Sequence, residues 1–116
     1  MKIKDVCKIL NARVLAGEEM MDFDIECAFG SDMLSDVLTF ARGRMALLTG
    51  LNSHQVIRTA EISDIPLIIF VRGRTPDKGI IDLAHGKDIC LLGTDLIMYE
   101  ACGKLYNAGL PPVTRL

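Results

Sequence analysis

Residues 30–38 have the sequence GSDMLSDVL, and this stretch decides the fold. It follows a short apolar run at 25–29, which predicts a strand. Ser31 or Asp32 can cap a helix, because a short side-chain oxygen accepts hydrogen bonds from the free N–H groups of a first turn. Apolar residues then recur at helical spacing: Met33, Leu34, Val37, Leu38 and Ala41. The stretch therefore predicts a junction between a strand and an amphipathic helix.

The same order of strand, turn and helix recurs three more times along the chain. Strands are predicted at 45–48, 67–71 and 89–92, and helices at 54–63, from Pro76 to about 85, and at 96–107. Before them, residues 3–10 predict a helix, 12–16 a short strand and 18–24 an irregular segment. This alternation predicts an α/β fold: a single three-layer, doubly wound domain with a mainly parallel sheet of about four to five strands. We expect the domain to span residues 1–110 and a C-terminal tail to span 111–116.

Composition excludes several classes of protein. The 116 residues carry 13 basic and 15 acidic side chains, without the basic excess that phosphate neutralisation requires, so we expect no nucleic-acid partner. The N-terminus lacks the apolar stretch of a signal peptide, and no apolar run approaches the length of about 20 residues that spans a bilayer. We therefore expect a cytoplasmic protein with no membrane partner. The four cysteines form no C-x-x-C pair, which favours buried, reduced thiols over a metal or disulfide role.

The turns that follow the four repeated strands provide the candidate ligand-binding residues. In a parallel sheet these turns lie at one edge, beside the helix N-termini, and ligands bind there in a crevice where the strand order reverses. Glycines let a ligand approach the backbone, N–H groups and hydroxyls hold anions, and arginines pair with phosphate or carboxylate. The candidates are Ser31, Asp32, Asp36, Thr49, Gly50, Asn52, Arg72, Gly73, Arg74, Thr75, Gly93 and Thr94. The same residue types also build ordinary turns and helix caps, so they predict an edge before they predict an occupied site.

Signals for catalysis are few. Asp32 and Asp36 are four residues apart and would share one helical face, where they could act as an acid/base pair or hold a hydrated Mg²⁺. The favoured interpretation is a helix cap followed by a first-turn acid that complements the helix dipole. His54 and His85 stand outside any metal-ligand spacing, and neither a P-loop nor G-x-G-x-x-G nor a Ser/His/Asp set occurs. No catalytic residue, metal or cofactor is therefore predicted.

Four short motifs, taken in order, resemble the DRTGG domain. They are SDMLSDVL at 31–38, LLTG at 47–50, FVRGR at 70–74 and LYNAGL at 105–110. Thr49 and Gly50 match the Thr-Gly of the name, Leu51 stands where its second Gly is expected, and no residue can be assigned as its Arg. The resemblance covers nearly the whole chain.

The resemblance implies an accessory function. DRTGG domains occur alone, within phosphotransacetylases and between the CBS domains of regulated pyrophosphatases, and they are similar to the non-catalytic N-terminal domain of HPr kinase/phosphorylase. It implies a non-catalytic regulatory module that senses a small anionic metabolite or nucleotide, and a homodimer. The alternatives are a homodimerisation or protein-interaction module without a small-molecule ligand, and a small phosphoryl-transfer or hydrolytic enzyme built on Asp32 and Asp36.

Overall fold

A computed structural model describes residues 1–116, which form five strands and five α-helices. In chain order these are α1 (Ile3–Ile9), β1 (Arg13–Ala16), β2 (Cys27–Gly30), α2 (Leu34–Phe40), β3 (Met45–Thr49), α3 (His54–Ile62), β4 (Leu67–Phe70), α4 (Lys78–Leu83), β5 (Cys90–Gly93) and α5 (Met98–Asn107). Two short 3₁₀ turns lie at Glu18–Met20 and Val113–Arg115. None of the helices combines the length and apolarity needed to cross a membrane.

All five strands belong to one sheet, in the order β1-β5-β4-β3-β2. The four strands that the repeated pattern predicted pair in parallel with their neighbours in sequence. β1 pairs antiparallel with β5, and Arg13 lies opposite Gly93. The prediction of a mainly parallel sheet of four to five strands is confirmed.

Helices cover both faces of the sheet, so the predicted three-layer α/β fold is also confirmed. Strand residues alternate between the faces: Leu47 and Phe70 pack with α2, α3 and α4, whereas Leu48 and Ile69 pack with α1 and α5. β3 and β4 are buried along their whole length, which explains their uninterrupted apolar sequences.

The parallel strands follow one another across the sheet without a reversal of order. Right-handed crossovers that always step in the same direction place their helices on one face, and α2, α3 and α4 accordingly pack side by side. The expectation of a ligand crevice at a reversal of strand order is therefore wrong. The edge of the sheet at which the parallel strands end, here called the carboxyl edge, is an open surface instead.

Both ends of the chain are fastened to the sheet region. The backbone N–H of Ile3 donates to the carbonyl of Phe23 at 3.0 Å, and the Lys4 ammonium lies 3.0 Å from Asp22, which lowers the pKa of that carboxyl. The irregular segment at 18–24 thus holds the N-terminus. At the other end, the N–H of Ala28 in β2 donates to the carbonyl of Pro111 at 3.0 Å, and Val113 is buried. Residues 111–113 therefore lie along the outer edge of β2.

Three predicted helix starts are wrong by one or two residues. Asp77, and not Thr75, caps α4 by accepting a hydrogen bond from the Ile80 N–H at 3.2 Å. Asp77 has the extended backbone of a cap residue, and Asp ranks above Thr in capping preference. The helices predicted to follow Ser31/Asp32 and to begin at 96 start at Leu34 and Met98.

The four cysteines are free thiols. Cys27 and Cys90 are buried, and Cys7 and Cys102 are half-buried. Burial raises the pKa of Cys90 to about 12, because a thiolate loses its hydration there. This thiol is therefore an apolar core group.

Candidate functional site

The carboxyl edge brings together the turns that carry the predicted site residues. The strand register aligns the ends of the four parallel strands: Gly30 pairs with Leu48, Thr49 with Phe70, and Phe70 with Gly93. The turns after β2, β3, β4 and β5 therefore stand side by side at one edge.

Asp32 is the connecting residue between the first two turns. Its Oδ1 accepts a hydrogen bond from the Gly50 N–H at 2.6 Å and another from the Thr49 hydroxyl at 3.0 Å. The Thr49 hydroxyl in turn accepts from the Leu51 N–H at 3.1 Å. A carboxylate of the chain thus occupies the amide and hydroxyl that a bound anion would otherwise use. Asp32 fixes the β3–α3 turn rather than capping α2.

The side chain of Asp36 lies apart from the hydrogen-bonded group around Asp32. Asp36 lies in the first turn of α2, exposed, whereas Asp32 precedes the helix by two positions and turns toward β3. No hydrogen bond or ion pair of the Asp36 side chain connects it with the edge. The expectation that the two carboxylates share a helical face is wrong, because the helix begins only at Leu34.

Arg72 and Gly73 form the turn after β4, and both have left-handed backbone conformations, with φ of 59° and 66°. Their N–H groups donate to the carbonyls of Leu96 and Thr94 at 2.8 and 2.9 Å. These amides join the β4 turn to the β5 turn, so they are not free to hold an anion. The side chains of this turn remain the groups that can bind a ligand.

The Arg72 guanidinium lies over the β3–α3 turn. A Cβ built on Gly50 would lie 3.3 Å from Nη2 of Arg72 and 3.4 Å from Oδ2 of Asp32, so Gly50 keeps this space open for both groups. Arg72 and Arg74 are exposed, and neither takes part in an ion pair. Both guanidinium groups therefore face solvent at this edge, and the Asp32 carboxylate is a neighbour of the Arg72 group without forming an ion pair with it.

The β5 turn is structural. Thr94 is fully buried, and its hydroxyl donates to the carbonyl of Leu10 at 2.8 Å and accepts from the Leu96 N–H at 3.3 Å. Gly93 faces the Thr75 methyl group, which would lie 2.9 Å from a Cβ at that position. The structure therefore does not present Thr94 or Gly93 to a ligand. Asn52 is half-buried beside the N-terminus of α3.

Sequence reasoning missed one ion pair at this edge. Arg13, at the start of β1, lies 3.4 Å from Asp95, and both side chains are largely exposed. Because β1 runs antiparallel, its first residue meets the last residues of β5. No sequence signal reveals this, since the direction of a four-residue edge strand leaves no periodic pattern.

The surface depressions of the molecule lie elsewhere. One of about 180 Å³ is largely apolar and lies between β2, α5 and the C-terminal segment, with Leu48, Leu105 and Pro111 in its wall. Two others lie beside α3, and the last lies on the outer face of α5. None of them is lined by Asp32, Arg72 or Arg74, and no group of three His, Cys, Asp or Glu side chains could hold a metal ion. A ligand at the carboxyl edge would bind on an exposed surface.

No protein-family model matches the sequence, and no curated protein sequence matches it. The fold is similar to a crystal structure of the CBS and DRTGG domains of the regulatory region of Clostridium perfringens pyrophosphatase, complexed with its activator, diadenosine tetraphosphate. The two chains share 20% sequence identity and superpose with a TM-score of 0.74 over 97% of the present chain. The present chain spans about half of that chain, at 49%. The chain therefore has a DRTGG-like fold, as its motifs predicted.

Proposed function

We propose that this chain is a non-catalytic regulatory module that senses a small anionic metabolite or nucleotide at the carboxyl edge of its sheet. The observation that carries the proposal is the pair of exposed arginines, Arg72 and Arg74, neither of which takes part in an ion pair. The similar pyrophosphatase region is regulatory and was crystallised with a nucleotide activator, which supports the same class of ligand here. Residues 1–110 would form the sensing unit.

Guanidinium groups suit such a ligand because their planar donors bind phosphate oxygens in pairs. Asp32 already occupies the Gly50 amide, and the Arg72 and Gly73 amides are bonded within the chain. Binding therefore depends on the two arginine side chains. We expect modest affinity that decreases as salt increases, because exposed charges are screened by ions.

The test is titration calorimetry at low salt with diadenosine tetraphosphate, ATP and inorganic pyrophosphate. The double variant Arg72→Gln/Arg74→Gln should weaken binding about tenfold or more, since charge-assisted hydrogen bonds of exposed groups contribute about 1 kcal/mol each. Arg58→Gln, which removes an exposed arginine from α3, is the matched control and should bind like the unmodified chain. Absence of binding by all three probes, or equal binding by the double variant, would contradict the proposal.

The proposal assigns no catalytic residue. Asp32 is engaged by two donors of the β3–α3 turn, and Asp36 lies apart from it in α2. The two carboxylates therefore do not form the acid/base pair that a phosphoryl-transfer or hydrolytic enzyme would need.

A second candidate function is homodimerisation, and a specific observation favours it. Tyr99 and Tyr106 of α5 have 87% and 53% of their surface exposed, and tyrosine is enriched at protein interfaces. Sedimentation velocity over a range of concentrations tests this candidate directly. A chain that stays monomeric at the highest concentration would contradict it.

A further inference from the structure

The outer face of α5 exposes two large aromatic side chains. Tyr99 and Tyr106 are seven residues apart, so they lie on the same side of the helix, separated by about 10 Å along its axis. Between them are Cys102 and Gly103, and together with Asn107 these residues line an open depression of about 380 Å³. Two large aromatic side chains thus flank a shallow centre.

The centre of this face permits close approach of another helix. A Cβ on Gly103 would meet nothing within 4 Å, so no part of the chain covers that position. Tyr106 is held in place, because its hydroxyl is 2.8 Å from an Arg115 nitrogen and the guanidinium carbon lies 5.5 Å from its ring centroid. Tyr99 has no such partner, and its ring is free to enter a surface opposite.

The charged residues on the flank of this face opposite to the tyrosines are self-complementary. Glu100 and Lys104 are both exposed, lie on the same flank of α5, and take part in no ion pair. Suppose that the α5 of a second copy packs antiparallel, with the two-fold axis passing near residues 102 and 103. The same flank of α5 then faces its counterpart on the other copy. Glu100 then stands at the level of Lys104 of the second copy, and the reverse pair forms by symmetry. The tyrosines of one copy similarly face those of the other.

We propose that α5 is the dimer interface and that its occupant is the α5 of a second copy, packed antiparallel around Gly103. This inference rests on the homodimer candidate given above and assigns its surface. The exposed tyrosine area amounts to roughly a third of the ~800 Å² that each partner buries in a standard interface. The dimer is therefore weak and dependent on concentration.

Charge reversal of the flank tests this arrangement. Glu100→Lys and Lys104→Glu each place like charges opposite one another, and each should weaken dimerisation by about tenfold or more in sedimentation velocity. The double variant Glu100→Lys/Lys104→Glu restores opposite charges across the two-fold axis and should recover the dimer. Within a single chain the same substitutions alter only the interaction between residues 100 and 104 of one helix. An effect confined to that helix would change the melting temperature of the chain but not the mass of the sedimenting species.

Oxidative cross-linking gives an independent measurement. In Gly103→Cys the new thiol lies beside the two-fold axis, so mild oxidation should yield a disulfide-linked dimer at concentrations where the unmodified chain dimerises. The unmodified chain is the control, since its Cys102 sulfur points inward, 2.8 Å from a Cβ position at Gly30. If Gly103→Cys fails to fold, the charge-reversal set still decides the question.

The outcomes separate the two proposals. Loss and recovery of the dimer in the charge series, together with the cross-link, support the α5 interface. A dimer that is unchanged in every variant and does not cross-link overturns the α5 interface and leaves homodimerisation standing. A chain that is monomeric throughout overturns both.

Discussion

Replacement of Asp32 by alanine tests whether this residue holds the edge of the sheet together. The carboxylate accepts hydrogen bonds from the buried Gly50 N–H at 2.6 Å and the buried Thr49 hydroxyl at 3.0 Å. Hydrogen bonds to charged groups contribute about 1.5–3 kcal/mol each. Asp32 is itself exposed, so water screens it, and about 1 kcal/mol per bond is the appropriate value.

Asp32→Ala should therefore lower the free energy of unfolding by about 2 kcal/mol. For a chain of 116 residues this corresponds to a decrease in melting temperature of about 8 °C. Asp32→Asn keeps one acceptor oxygen and should lose about half as much. Urea denaturation at neutral pH measures the free energy, and calorimetry measures the melting temperature.

Asp36→Ala is the matched control, because it removes a carboxylate from the same region that has no hydrogen-bonded partner. Its cost should stay within about 0.5–1 kcal/mol, the usual contribution of a first-turn acid to the helix dipole. If Asp32→Ala were no more destabilising than Asp36→Ala, the hydrogen bonds of Asp32 would contribute nothing measurable. Asp32 would then not stabilise the turn between β3 and α3.

Three further predictions concern the core and the turns. Gly17→Ala should lower the free energy of unfolding by more than about 2 kcal/mol, because φ of Gly17 is +83° and the new methyl group would lie 2.8 Å from the Cys90 Cα. Gly79→Ala, a glycine substitution within α4, should instead raise the free energy of unfolding by about 0.5–1 kcal/mol in the same denaturation assay. Thr94→Val should destabilise by about 1–2 kcal/mol because the carbonyl of Leu10 loses its buried donor, and Thr94→Ser should retain most of that stability. The folded-state pKa of Cys90 is raised from 9.0 to about 12, so its contribution to stability is complete below pH 9 and is lost as pH rises toward 12. Stability should accordingly fall less steeply over that interval in Cys90→Ala, and equal slopes would show that the thiol is not shielded in the native state.

The layers of the fold could be predicted from the sequence because each repeated unit carries its own signal. Continuous apolar strands such as 67–70 are typical of the centre of a parallel sheet, and the stripe from Leu34 to Ala41 is typical of a covering helix. Once four strands are parallel, their following turns must share an edge. This is why Asp32, Thr49 and Arg72 could be placed together from the sequence.

The connections within that edge could not be predicted in the same way. Asp32 bonds to Gly50, which is 18 residues distant, and a carboxylate before a helix is equally suited to capping that helix. The choice depends on the distance between two neighbouring turns, which periodicity does not encode. Likewise, the pairing of Arg13 with Asp95 depends on the direction of β1.

The position of β1 has a consequence for the order in which the chain folds. β1 pairs only with β5, so this strand finds its partner at the far end of the chain, whereas the residues before it also bond to the nearby segment at 21–25. The parallel strands β2 to β5 each pair with a neighbour in sequence and can assemble step by step. β1 can pair only after β5 has formed, because a contact between Arg13 and Gly93 closes a long loop, and the entropy cost of that closure precedes the favourable contacts. During synthesis on a ribosome, this strand would emerge before the other strands and dock last.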